Sequence, residues 1–312
     1  MAMAAFVLAA LSLPTIAAEL KHIPLPGDRA YPESLAAAAD GTLYVSSLAS
    51  GGVVRIKPGG AAEQWIAPGA FGSRSTFGVN VDAKAGLLWV CSNDASGLGV
   101  PGPGTTTGSH LIGFDLTTGE GKVNVALPGE GNLCNDTAIA PDGTLYVTNS
   151  LKPQILRLKP GAAQLEEWVE STTFDQPKEG AGLDGIAFGA DGNLYVNNFT
   201  QGGLFRVEVK DGSPGDVIKL TTSRALKNPD GLRPTGGQSF VMAEGGGTID
   251  RVTVNGNDVQ IDTLQDGLAG PTAVALVGDT IWAPEGQLSH LFDAKSGPPK
   301  LPFQVVGVPV TK

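Results

Sequence analysis

Short apolar runs alternate with polar turn residues along this chain at the spacing of strands. One run recurs three times: Asp40-Gly41-Thr42-Leu43-Tyr44-Val45, Asp142-Gly143-Thr144-Leu145-Tyr146-Val147 and Asp191-Gly192-Asn193-Leu194-Tyr195-Val196. An aspartate–glycine turn leading into an apolar triplet predicts a hairpin and a buried strand. Weaker echoes at Leu88-Trp89-Val90, Ser239-Phe240-Val241 and Thr280-Ile281-Trp282 continue the phase. Tyr44, Trp89, Tyr146, Tyr195, Phe240 and Trp282 are thus one series, with steps of 45, 57, 49, 45 and 42 residues. That period predicts an all-β fold, a six-bladed β-propeller whose four-stranded antiparallel blades surround a central channel.

Each unit divides into strands A to D, with A innermost. The A–B and C–D turns then fall on one face and the B–C and D–A connections on the other. Leu25-Pro26-Gly27-Asp28 and Leu127-Pro128-Gly129-Glu130 lie 102 residues apart, and the same offset superposes blades 1 and 3 without a gap. The segment from Glu19 to Pro26 therefore resembles a D strand that closes the last blade, and Pro302 to Val306 is an equal candidate for that place. An insertion rich in Gly, Pro and Thr, Ser96 to Ser109, falls in a B–C connection and is either a lid over the channel or a surface loop.

Composition fits one domain over residues 19–312. There are 44 Gly and 22 Pro among 312 residues, which suits many tight turns, and 41% hydrophobic residues suffice for a core. A net charge of −10 without a basic run excludes binding to a nucleic-acid backbone. Residues 1–18 have a short apolar stretch, Ala4 to Leu13, then Pro14 and the small pair Ala17-Ala18. This reads as a signal peptide, so the expected location is periplasmic or secreted, with no membrane association after cleavage. Cys91 and Cys134 fall at the same end of neighbouring blades, and two readings stand, a disulfide or two thiols.

Counting 11 positions back from each strand-B aromatic reaches the start of strand A beside the channel mouth: Glu33, Gly78, Asn135, Asp184, Pro229 and Pro271. A slip of one residue in blade 5 gives Asp230, 10 before Phe240. Glu33, Asn135, Asp184 and Asp230 thus converge from four blades. Burying three carboxylates together calls for a neutralising cation, and an oxygen-only donor set suits a hard ion. The opposing reading is that Asp184-Gly185 and Asp230-Gly231 are simply Asx turns. Asn149 and Asn198, in B–C connections on the same face, are candidates to bind substrate hydroxyls. His22, His110 and His290 fall outside the ligand phase and offer no obvious base.

Pro32-Glu33, Asn135-Asp136, Leu183-Asp184-Gly185 and Asn228-Pro229-Asp230-Gly231, in this order, resemble the senescence marker protein/gluconolactonase family over essentially the whole mature chain. The resemblance implies a metal-dependent lactonase acting on a sugar lactone or related cyclic ester. It implies one divalent cation, Ca²⁺ ahead of Mg²⁺, Mn²⁺ or Zn²⁺, held by Glu33, Asp184 and Asp230, with Asp230 as general base and Asn135 as a substrate or metal contact. Asp184 departs from the Asn common in the family and adds a third negative charge. Ser34 stands where relatives often have Gly. The alternative from another class is a non-catalytic, metal-stabilised propeller that acts as a binding or scaffold protein.

Overall fold

The structure, a computed structural model, describes residues 20–310; the expected signal peptide lies outside the described residues. Blade 1 comprises Pro32–Ala37, Leu43–Ser47, Val53–Ile56 and Ala62–Ile66 as strands A to D. Blades 2, 3 and 4 repeat the order from Ser75 to Ala126, from Cys134 to Glu170 and from Leu183 to Lys219. Blade 5 runs from Pro229 to Gln265 and gains a short parallel edge strand, Thr221–Thr222. Blade 6 is built from both ends of the chain. Ala275–Val277 and Thr280–Pro284 are its A and B strands, Gln304–Pro309 is C, and the N-terminal Lys21–Pro24 is D. Both terminal candidates therefore belong to blade 6, in different places: the N-terminal segment closes the ring, and the C-terminal one is the strand it pairs with.

The blades hold together through apolar side chains sandwiched between neighbours. Tyr44 packs on Trp65 within blade 1 and Tyr146 on Trp168 within blade 3, at 5.0 and 4.8 Å, and Tyr146 reaches across to Phe188 of blade 4 at 5.4 Å. Burial of each large apolar side chain stabilises the fold by about 1.5–3 kcal/mol. Strand C complements the aromatic of strand B. Tyr44, Tyr146 and Tyr195 lie opposite Arg55, Arg157 and Arg206, whereas Trp89 and Trp282 lie opposite Gly113 and Gly307. A Cβ at either glycine would sit 3.0 Å from the indole, so the larger ring takes the space of the absent side chain.

Blade 5 corrects the aromatic phase. Val241, not Phe240, lies opposite the strand-C arginine, Arg251, and Phe240 turns back onto Tyr195 of blade 4 at 5.0 Å. Val241 is 11 residues after Asp230, so no slip is needed there. In blades 2 and 6 the A–B turns are one residue longer and one shorter than in the others. Strand pairing of Asn80 with Trp89 and Ala275 with Trp282 then makes Phe77 and Thr272 the equivalents of Glu33, rather than Gly78 and Pro271.

Cys91 and Cys134 form a disulfide between blades 2 and 3, with a Cα separation of 5.2 Å. A bridge spanning 43 residues of sequence stabilises mainly by restricting the unfolded chain. Thiol titration of the unfolded, unreduced protein is expected to find no free thiol. Reduction is expected to lower unfolding free energy by about 2–4 kcal/mol in a denaturant titration. Two titratable thiols would overturn the pairing.

Candidate active site

The inner strands share one irregularity that creates the site. In blades 1 to 5 the A–B register slips between flanking pairs, as between Pro32 and Leu35 or between Leu183 and Ile186. The two residues inside each slip are Glu33-Ser34, Phe77-Gly78, Asn135-Asp136, Asp184-Gly185 and Asp230-Gly231. A bulge leaves such residues unpaired and re-aims their side chains. Here they turn to the channel, where Glu33, Ser34, Gly78, Asn135, Asp136, Asp184, Asp230, Gly231 and Thr272 line one small pocket.

Glycine after the site residue allows this convergence. A Cβ on Gly78 would lie 2.1 Å from the Asn135 carbonyl oxygen, and one on Gly185 would lie 2.2 Å from that of Asp230. The backbone groups freed by the slip find partners on strand B. Thr148 Oγ1 accepts the Asp136 N–H at 2.9 Å and donates to the Asp184 carbonyl at 2.8 Å. Asn197 accepts the Gly185 N–H at 3.0 Å through Oδ1 and donates to the Asp230 carbonyl through Nδ2. Ser46 accepts the Ser34 N–H at 2.9 Å. These three positioning residues were missed in the sequence, although a signal was present: Ser46, Thr148 and Asn197 each follow the Tyr-Val pair of the recurring phrase.

Glu33, Asn135, Asp184 and Asp230 are all buried, at 4–5% exposure. Asn135 Nδ2 donates to Asp184 Oδ2 at 3.1 Å, and the Asp184 and Asp230 carboxyl groups line the same small pocket. Gly231 N–H donates to Asp230 Oδ1 at 2.9 Å. Burial, then Asp184 and Asp136, raise the Glu33 pKa well above its usual value. Burial, then Asp184 and Glu33, do the same to Asp230. Burial, then Asp136, push Asp184 to about 7. One positive charge faces the cluster, Arg233, and it is committed to Asp136 at 2.6 and 2.9 Å across the channel from blade 5 to blade 3. Burial opposes the Arg233 charge, but Asp136 reverses that balance and raises its pKa.

The donor set fits a hard divalent cation: three carboxyl groups and a side-chain amide, all oxygen-bearing, with like charges that repel. Among the described residues no three His, Cys, Asp or Glu side chains form a ready-made metal geometry. Glu33, Asp184 and Asp230 are the residues that would hold such an ion, and its charge would favour their ionised forms.

The two remaining candidates, Asn149 and Asn198, do not line the carboxylate pocket. Asn149 is fully buried, accepts the Leu133 and Leu151 N–H groups, and donates to Asn132 and Gln154. Asn198 is fully buried and bonded to the backbone of Phe174, Asp175 and Gln201. Alternation along strand B turns them away from the channel and assigns them to loop anchoring. The Ser96 to Ser109 insertion leans on blade 1, where Pro103 meets Gly51, and Arg74 pins it through Asp94, Ser96 and Thr106. None of its residues lines the carboxylate pocket.

The family profile described as strictosidine synthase-like, N-terminal, matches residues 18–56, the stretch that carries Glu33. No curated protein matches the sequence. Among solved structures, a gluconolactonase of Xanthomonas campestris is 18% identical with a TM-score of 0.67, covering 93% of this chain and 89% of its own. A luciferin-regenerating enzyme is 14% identical with a TM-score of 0.68, over 91% and 92% of the two chains. A virginiamycin B lyase of Staphylococcus aureus, solved with quinupristin in a form inactivated by replacing one histidine, is 14% identical with a TM-score of 0.61, over 94% and 99%. In fold, the chain is a six-bladed β-propeller, the architecture that it shares with these neighbours.

Proposed function

We propose that the protein is a metal-dependent hydrolase of a lactone, a sugar lactone or related cyclic ester. The observation that carries this reading is the meeting of Glu33, Asp184 and Asp230 in one buried pocket whose only facing cation among the described residues, Arg233, is already paired with Asp136. Glu33, Asp184 and Asp230 would hold the ion, Ca²⁺ by donor type. When bound, it would polarise the lactone carbonyl and favour the negative charge that develops there. Asp230 would take the proton from the attacking water, with its Oδ1 fixed by the Gly231 N–H. Asn135, held against Asp184, would orient the ring oxygens of the substrate. A lyase that depends on histidine finds no counterpart here. His22 lies on the outer strand of blade 6, His110 bonds Asn124, and His290 lies in a short helical turn. The disulfide and the apolar N-terminal stretch favour an exported protein.

Proton release from a panel of aldonolactones and simple γ- and δ-lactones is the direct test. Activity should disappear with a chelator and return with Ca²⁺. No hydrolysis, with Ca²⁺ still raising the melting temperature, would give the binding-protein reading the advantage. Asp230→Asn should lower kcat by about 10²–10⁴-fold while the melting temperature holds. Asn149→Ala should do the reverse, keeping kcat while costing about 1–3 kcal/mol through lost buried hydrogen bonds. Full turnover in Asp230→Asn would remove the base assignment.

Carboxyl groups whose pKa is raised on folding bind protons more tightly in the folded state. Their contribution to stability is complete below the unfolded values, near 4, and is lost as pH rises through about 7 for Asp184. In a chelator the melting temperature should therefore fall between pH 5.5 and pH 8. Excess Ca²⁺ should flatten or reverse that trend. A melting temperature in chelator that is level or rises over this range would contradict the clustering of the three carboxyl groups.

A further inference from the structure

One residue follows each aromatic–valine pair of strand B: Ser46 after Tyr44-Val45, Cys91 after Trp89-Val90, Thr148 after Tyr146-Val147 and Asn197 after Tyr195-Val196. In blades 3 and 4 that residue reaches into the next blade. Thr148 Oγ1 donates to the Asp184 carbonyl at 2.8 Å, and Asn197 Nδ2 donates to that of Asp230. In blade 2 the same place holds Cys91, whose sulfur is bonded to Cys134, the residue before Asn135. A disulfide sulfur has no hydrogen to donate, so the tie from blade 2 to blade 3 is covalent and lies one residue earlier in the chain.

The two kinds of junction match in their backbones. A Cβ on Gly78 would lie 2.1 Å from the Asn135 carbonyl oxygen, as one on Gly185 would lie 2.2 Å from that of Asp230. Cys134 is held from blade 2 a second time, because Asn93 Nδ2 donates to its carbonyl at 2.8 Å and Asn93 Oδ1 accepts its N–H at 2.9 Å. Both cysteines are fully buried. Glu33 is anchored in a similar way, since Thr272 Oγ1 of blade 6 donates at 3.1 Å to the carbonyl of Pro32, the residue before it. From the anchored Cys134 the chain enters the bulge, and Asn135 Nδ2 donates to Asp184 Oδ2 at 3.1 Å. We propose that the Cys91–Cys134 disulfide is a positioning element of the site, fixing Asn135 against Asp184 as Thr148 and Asn197 fix Asp184 and Asp230. A bulge gives up ladder bonds, so the residues that it turns to the channel depend on supporting contacts for their placement. The consequence for cation binding rests on the hydrolase reading, whereas the placement of Asn135 does not.

The test compares two full-length variants that both lack the bridge. Cys91→Ala with Cys134→Ala leaves nothing at the strand-B place that reaches blade 3. Cys91→Thr with Cys134→Ala supplies the hydroxyl that Thr148 uses, placed to accept the Gly78 N–H and to donate to the Asn135 carbonyl. Both lose the stability that the bridge confers, so stability alone does not separate them. The first readout is the Asn135 side-chain amide pair in the ¹⁵N spectrum of the metal-free chain, assigned by its loss in Asn135→Asp. It should move toward the position of a free amide in the alanine variant and stay near its original position in the threonine variant. The second readout is Ca²⁺ affinity by calorimetry, which should weaken about 10–100-fold in the alanine variant and return most of the way in the threonine variant. If the alanine variant does not fold, Cys91→Val with Cys134→Ala, which fills more of the lost sulfur volume, takes its place. A bridge that served stability alone would leave the amide pair and the affinity unmoved, and that result would overturn the proposal. So would an amide pair displaced as far in the threonine variant as in the alanine variant. An unaltered chain that binds no Ca²⁺ would count against the hydrolase reading alone, because the amide pair reports on Asn135 without the ion.

Discussion

Everything about the site follows from one constraint: six inner strands must pass a narrow axis, and side chains can enter that axis only where the strands bulge. A regular strand would turn alternate residues toward the neighbouring blades. The register slip replaces that alternation locally, and two consecutive residues face the channel. This costs ladder hydrogen bonds, which Ser46, Thr148 and Asn197 restore from strand B. The same side chains of Thr148 and Asn197 grip the carbonyls of Asp184 and Asp230 in the next blade, so the positions of these two carboxyl groups are set by two blades rather than one. In blades 2, 4 and 5 glycine at the following position is a packing requirement, because the next blade's backbone occupies the volume of a Cβ, whereas blades 1 and 3 carry Ser34 and Asp136 there.

The same geometry explains how far the sequence could be read. The period of the strand-B aromatics gives the number of blades, because one ring per unit must fill the gap to the next. It gave Glu33, Asn135 and Asp184 in register because blades 1, 3 and 4 share one A–B turn length. It slipped at Phe240, an aromatic that faces the wrong neighbour, while Val241 opposite Arg251 keeps the true phase. Pairing with strand C would have been the safer guide, since arginine accompanies tyrosine and glycine accompanies tryptophan. Asn149 and Asn198 misled for a related reason. They follow Thr148 and Asn197 by one position, and on a strand one position is the opposite side. Which terminal strand closes blade 6 was not legible, because both segments have the same apolar pattern and only three-dimensional order separates C from D.

Arg233 and Asp136 were not anticipated in their pairing, and they change the electrostatics of the pocket. Arg233 is three residues past Asp230, a place held by alanine in blades 1, 3, 4 and 6 and by Asn80 in blade 2. From there it spans past blade 4 to reach Asp136 with both terminal nitrogens. A bidentate pair of this kind is strongly oriented. It neutralises the fourth acidic residue and leaves the other three to one another. The pocket is therefore divided into a half paired with Arg233 and a half with no salt-bridge partner among the described residues, and the latter contains the residues proposed to take a cation.

Aspartate beside glycine occurs at both ends of the channel, and the comparison shows that composition alone does not define the site. Asp40, Asp142 and Asp191 each accept the N–H two residues on, from Thr42, Thr144 and Asn193, as Asx turns do. That bond, with the Thr42 hydroxyl, lowers the pKa of Asp40 and keeps it ionised in water. Asp184 and Asp230 make no such turn. Asp230 accepts only the next N–H, Asp184 accepts an amide from another blade, and each lies against the other's carboxyl group. The turn aspartates are stabilised as carboxylates by what they bond, whereas burial and like charge push the channel aspartates toward their protonated forms. A cation among them would offset that repulsion and return them to the carboxylate form, which the proposed hydrolysis requires of them.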